Sequence, residues 1–318
     1  MKLLISYDGS ESSDKAIDDL QKAGLPEENV EAVVISVAEV WMPPPISSNG
    51  DGFHAEDYPD FINELSERRL KIAKGAVQEA AALSRHAKER ILAKFPKWQV
   101  SAEAVDGSPA WEVVARAEKI KPDLIVAGSQ GRNAVGRIFL GSISQKILTE
   151  ANCSVRIARG KIDVDPQPFR IMIGFDGSVG SHFAVKEVAS RNWGDNAEVC
   201  LFTAIHSFVP STIGRFVPPV DSWVKEDFEK EKEWIEKMAE SSTHELENAG
   251  FKVSLEVQEG NPKEILIAHA KKWQADSIFV GAHSYSAIEK FLIGSTAMAI
   301  AERAECSVEA VRSSEPVG

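Results

Sequence analysis

Cysteine is scarce in this 318-residue chain, and Cys153, Cys200 and Cys306 show neither paired spacing nor a metal-ligand pattern. No disulfide framework or structural zinc site is expected, and the thiols fit a reducing compartment. Long apolar runs are missing too: none approaches the ~18 residues that cross a bilayer. The opening Met1-Lys2-Leu3-Leu4-Ile5-Ser6-Tyr7-Asp8 turns polar too early for a secretory signal. There is no basic excess, since 36 Lys and Arg stand against 48 Asp and Glu for a net charge of −12. Broad attraction to nucleic acid or an anionic membrane is therefore not expected. No Gly-x4-Gly-Lys-Ser/Thr phosphate loop occurs, which argues against a motor-type ATPase. His206, His269 and His283 lack ligand spacing, so no metal site is expected. With 43% hydrophobic and 26% charged residues, the composition is that of an ordinary globular, cytoplasmic protein.

What the chain does contain is one unit written twice. Ile5-Ser6-Tyr7-Asp8-Gly9-Ser10 returns as Ile173-Gly174-Phe175-Asp176-Gly177-Ser178. Asp123-Leu124-Ile125-Val126-Ala127-Gly128 returns as Asp276-Ser277-Ile278-Phe279-Val280-Gly281, and Cys153-Ser154-Val155 as Cys306-Ser307-Val308. The offset is 168 at the first match and 153 at the later ones, so the first copy has about fifteen extra residues between its second and third strands. At ~150 residues per domain, two domains are expected. Their boundaries fall at residues 1–160 and 169–313, with Gly160–Pro168 as linker.

Within the first copy, apolar runs predict strands at Lys2–Tyr7, Val30–Ala38, Val100–Val105, Leu124–Gly128 and Val155–Ala158. Helical periodicity covers Ser12–Ala23, Phe61–Phe95 (with room for one break), Pro109–Lys119 and Ser142–Ala151. Strands alternating with helices imply an α/β fold: two tandem, doubly wound, five-stranded parallel sheets of half-Rossmann order 3-2-1-4-5, side by side. In such sheets ligands bind beyond the carboxyl ends of the strands where the order reverses, here between strands one and four. The loops leaving those strands are Asp8-Gly9-Ser10 and Gly128-x2-Gly131-x9-Gly141-Ser142. Glycines at 128 and 131 suggest positive φ and close backbone approach to a ligand. Gly141-Ser142 opens a helix whose free N–H groups favour phosphate, with the Ser142 and Ser144 hydroxyls as further donors. Arg132, Arg137 and Lys146 give Gly128–Lys146 a local charge of +3. Asp8 is placed to accept hydrogen bonds from a ribose or base.

Gly-x2-Gly-x9-Gly-Ser after a strand, with an Asp ending strand one, resembles the signature of universal stress proteins of the ATP-binding class. The resemblance spans both halves, although Cys-Ser-Val stands where the family commonly has Cys-Pro-Val. It implies a tandem universal stress protein of the adenine nucleotide α-hydrolase-like fold, binding ATP or a similar adenine nucleotide. Asp8 or Asp176 could hold Mg2+ through the phosphates, although a nucleoside contact is the expected role of these carboxylates. By position, Asp8 and Val37 would face the nucleoside, Ala127 and Gly128 would line the turn, and Gly131, Arg132, Gly141, Ser142, Ile143 and Ser144 would hold phosphates. The second copy reads Gly281-Ala282-His283-Ser284-x9-Gly294-Ser295, with Ser284 at the second glycine position and Glu289 cancelling Lys290. A Cβ at positive φ costs on the order of 1 kcal/mol. The weaker site, built on Asp176, Gly281, Ser284, Gly294 and Ser295, is therefore expected to bind poorly or stay empty.

The leading functional expectation is a nucleotide-dependent stress-response or regulatory module without turnover, since no general base, arginine clamp or metal cluster accompanies the motif. The alternatives are a slow ATPase or adenylyl-transfer enzyme of the related superfamily, and a structural interaction protein with vestigial sites. Trp41, Phe53, Tyr58 and Phe61 suggest either a lid or a loop packed on the other copy. The family commonly pairs through its last strands, which places Val155–Ala158 and Val308–Val311 at the contact between the copies, with a homodimer beyond that as a further expectation.

Overall fold

The computed structural model describes residues 1–41, 60–131, 140–159, 168–194, 196–205, 218–282 and 293–313. In the first copy the elements run β1 (Lys2–Ser6), α1 (Glu11–Asp19), β2 (Glu31–Ala38), α2 (Asp60–Lys94), β3 (Gln99–Asp106), α3 (Pro109–Ile120), β4 (Leu124–Gly128), α4 (Ser142–Glu150) and β5 (Ser154–Ala158). The second copy repeats the series as β6 (Arg170–Gly174), α5 (Val179–Ser190), β7 (Glu198–Ile205), α6 (Pro218–Asn248), β8 (Lys252–Glu259), α7 (Pro262–Trp273), β9 (Ser277–Gly281), α8 (Ser295–Arg303) and β10 (Ser307–Val311). The 35-residue α2 is a single helix without the break that its length allowed.

Strand order is β3-β2-β1-β4-β5 in the first copy and β10-β9-β6-β7-β8 in the second, parallel throughout each half. β5 and β10 then pair antiparallel, Val308 opposite Ile157, Glu309 opposite Arg156 and Ala310 opposite Val155, so the two five-stranded sheets share hydrogen bonds as one sheet of ten strands. The period-2 alternation of each strand sends neighbours to opposite faces. Leu4, Ile125, Val155, Ile157, Met172, Ile278, Val308 and Ala310 belong to one apolar core with side chains of α3, α4, α7 and α8, and that core runs unbroken across the seam. On the other face there are two separate cores: Leu3, Ile5 and Val126 with α1 and α2, and Ile171, Ile173 and Phe279 with α5 and α6. Between those two lies a set of buried charges.

Candidate functional site

Local chemistry fixes the turn after β1. Asp8 Oδ1 accepts the Ser10 N–H at 3.0 Å, and the Ser10 hydroxyl caps α1 by accepting from Ser13 N at 3.2 Å. Gly9 takes φ +75°, the conformation that glycine alone adopts at little cost. Ser36 on β2 donates to the Tyr7 carbonyl at 2.7 Å and so ties the ends of β1 and β2 together. The Tyr7 phenol donates to Asp14 at 2.7 Å, and Arg90 of α2 bonds the same carboxylate. Burial, and then the Asp14 hydrogen bond, push the Tyr7 phenol up to about 12. These contacts hold α1 and α2 against the carboxyl end of β1.

The turn after β4 is held from two directions. Ser12 Oγ accepts the Gln130 N–H at 3.1 Å, and Gly141 N donates to the Ser129 carbonyl at 2.8 Å. The buried Ser144 hydroxyl donates to the Gly128 carbonyl at 2.7 Å. It is a tether between α4 and β4, which corrects the expectation that it would donate to a ligand. The reading of the glycines needs correction too, because neither Gly128 nor Gly131 has positive φ. A Cβ on Gly128 would lie 2.7 Å from the backbone of Ser12, so this glycine exists for the close approach of α1. On Gly131 a Cβ would lie 3.4 Å from Asp8 Oδ2, which leaves room beside the carboxylate. The positive-φ penalty assigned to Ser284 therefore has no counterpart at its matched position.

A cavity of about 590 Å³ opens between these turns. It brings together Asp8, Val37, Ala127, Gly128, Gly131, Gly141, Ser142, Ile143 and Ser144, all of them expected from the sequence. Arg132, Arg137, His283, Ser284, Glu289, Lys290, Phe53 and Tyr58 lie outside the described residues, as does most of the linker. Ser142 begins α4 behind Gly141, whose φ of −66° and ψ of 152° make it an N-cap with no side-chain bond to the helix. The first-turn N–H groups of α4 lie at the cavity margin, where a helix attracts anions. Missed from the sequence were the wall formed by Ala76, Glu79, Ala80 and Leu83 of α2, and Ser36 with Pro109. For Ser36 the repeat held a signal: Thr203, its counterpart in the second copy, donates in the same way to Phe175 O at 2.7 Å. The α2 wall had none, since it depends on how a distant helix docks. The charged residues of the described lining, Asp8, Glu39 and Glu79, are all acidic.

In the second copy Asp176 makes the same turn, accepting Ser178 N at 3.0 Å, and Gly294 caps α8 ahead of an exposed Ser295. Gly281 faces Gly180, and a Cβ there would lie 2.4 Å from its backbone. Above the turn, Met238 of α6 packs so closely that a Cβ on Gly177 would lie 2.1 Å from its sulfur. Trp41 and Phe61 are 86% and 65% exposed, so neither closes over the cavity nor packs on the other copy. Among the described residues no three His, Cys, Asp or Glu side chains form a metal-binding group, and no helix is long and apolar enough to cross a membrane.

A doubly wound parallel sheet with a glycine-bordered cleft where its strand order reverses defines a Rossmann-like α/β protein. The chain belongs to the universal stress protein family, whose model matches it twice, over residues 1–159 and 169–312. A universal stress protein of Thermus aquaticus is 33% identical over 159 residues, which are 49% of this chain and 97% of that protein. The universal stress protein YxiE of Bacillus subtilis is 31% identical over 161 residues, 50% of this chain and 98% of that one. Among solved structures, a universal stress protein from Archaeoglobus fulgidus shares the fold over 98% of this chain and 96% of its own, with a TM-score of 0.56 and 19% identity.

Proposed function

We propose that this universal stress protein binds ATP or a related adenine nucleotide in its first copy and acts as a nucleotide-dependent regulatory module in a stress response. The observation that carries the reading is the cavity of about 590 Å³ at the carboxyl ends of β1 and β4. Its volume falls inside the ~300–1,000 Å³ range of small-molecule sites. The Asp8 carboxylate faces it as an acceptor for hydroxyl or amino groups, which suits a ribose or base. Val37 offers an apolar flank for a ring. Gly131 and the start of α4 offer backbone N–H groups to phosphates, Gly141 leaves that approach clear of a side chain, and Ser142 adds a hydroxyl. A bound nucleotide would bring the negative charge that the helix terminus attracts. The residues of this chain would bind and orient it.

The domains we assign are residues 1–160 and 169–313, with the nucleotide mainly in the first. The test is mass spectrometry of gently purified protein followed by calorimetric titration with ATP. Co-purified ATP and about one tight site per chain support the reading. ADP or AMP in its place would favour a slow ATPase or adenylyl-transfer enzyme, and no nucleotide with no titration heat would refute binding.

A further inference from the structure

Along the seam between β5 and β10 the matched residues keep their character, Ser154 with Ser307, Val155 with Val308, apolar Ile157 and Ala158 with apolar Ala310 and Val311, and Arg159 with Arg312, at every position but one. Residues of the two copies match at an offset of 153, and the register places Glu309, the match of Arg156, directly opposite Arg156. The pseudo-two-fold axis therefore passes between these two side chains. Around them the matched residues behave alike. Ser154 Oγ accepts Arg312 N at 3.1 Å, and Ser307 Oγ accepts Arg159 N at 3.0 Å. Arg312 donates across the seam to the carbonyl of Leu148 at 2.6 Å, and Arg159 to that of Ala304 at 2.9 Å. Two like copies facing each other could repeat both serine bonds, whose donors and acceptors are matched, while the carbonyls that accept from Arg312 and Arg159 lie at unmatched positions of α4 and just past α8. At the axis the symmetry fails, because one copy carries a cation and the other an anion.

Both axial side chains are 0% exposed. Arg156 is held by Asp19 of its own copy, Nε to Oδ2 at 2.6 Å, and reaches Glu309 Oε2 at 3.4 Å and Ser277 Oγ at 2.8 Å in the other. Glu309 accepts from Arg191 of its own copy at 2.9 Å, and the same Arg191 nitrogen bonds the Ala23 carbonyl across the seam. Ser307 closes the set by donating to Asp19 at 2.6 Å. Guanidinium groups only donate and carboxylates only accept. In a pairing of two first copies, Arg156 would face Arg156 where it now meets the Glu309 carboxylate. Two second copies would set Glu309 against Glu309. Each would keep the partner of its own copy, Asp19 or Arg191, but would exchange the opposite charge across the seam for a like one. Like charges directly opposite on antiparallel strands destabilise the pair, the more so when buried.

We propose that the Arg156–Glu309 pair is a partner-selecting device: it makes the β5 edge of a first copy accept the β10 edge of a second copy and reject an identical edge. The partner this edge fits is a second-type copy of this family unit, normally the one on the same chain.

Two full-length variants test it. R156E sets acid against Glu309, and E309R sets base against Arg156, so each alone should lose its seam. Amide exchange of residues 154–158 and 307–311 should be at least tenfold faster than in the parent. Mixed one to one, the chains should form a complex containing one of each, seen by native mass spectrometry. Protection should return in β10 of R156E and β5 of E309R, which together rebuild the original pair. Parent-like protection in either variant alone, or no mixed complex, would overturn the proposal. If either chain is insoluble alone, co-expression decides: a soluble one-to-one complex supports selection by charge, and continued insolubility of both overturns it.

Discussion

Gly131 separates the demands of binding from those of folding. A Cβ at this position meets only Asp8, at 3.4 Å, so Gly131→Val should leave the melting temperature within a few degrees of the parent's while filling the space beside the carboxylate. Calorimetry should then show no ATP binding, and retained binding would place the nucleotide elsewhere. Asp8→Ala should weaken binding by roughly 1–3 kcal/mol, the usual cost of losing a charged hydrogen-bond partner. Tyr7 gives a spectroscopic check on the β1 turn. With its phenol raised to about 12 by burial and Asp14, the stability it contributes is complete below the ordinary tyrosine value near 10 and is lost as pH climbs towards 12. Tyr7 should titrate late in ultraviolet absorbance, and Tyr7→Phe should remove that late step. The three thiols are each pushed up to about 12, by burial above all, so a thiol reagent at neutral pH should label them only after unfolding. Residue types and spacing pointed to Asp8, Gly131 and Gly141 before any fold was known, and Val37 came only from the family resemblance. They did not make legible why each glycine is there, because the spacing of a loop says nothing about which neighbour a missing Cβ would strike.

At the level of elements, α1, α3 and α4 begin beside the cavity, and α1 and α4 are each tethered by a serine. Ser144→Ala removes the bond to the Gly128 carbonyl, which then stays buried without that donor, and the expected loss is roughly 1–3 kcal/mol of stability. Denaturant unfolding would measure it, and an unchanged midpoint would show that the tether is not needed. Gly128→Ala should cost a comparable amount, because its methyl would press on the Ser12 backbone at 2.7 Å. The order of elements and the 3-2-1-4-5 winding were readable from alternating apolar runs and the handedness of parallel crossovers. The α2 side of the site was not: Ala76, Glu79, Ala80 and Leu83 reach the cavity through long-range packing that local periodicity does not encode.

For the whole molecule, the expected behaviour is inequality between halves that share one fold. The second copy keeps Asp176 and the Gly294 cap, but its first-strand turn carries Met238 above Gly177, and its sequence lacks the extra cations of the first. ATP should bind there at least ten times more weakly, which corresponds to about 1.4 kcal/mol. Two equal tight sites per chain in a calorimetric titration would contradict this. The antiparallel meeting of β5 and β10 has one more consequence, which concerns direction. Because all strands of a half run the same way and the halves run oppositely, the carboxyl ends of β1 and β4 open on one rim of the sheet and those of β6 and β9 on the other. A strand of five residues at ~3.3 Å per residue keeps the rims about 17 Å apart. A molecule that covers one rim therefore leaves the other uncovered, and the two first-strand turns of a single chain face opposite poles.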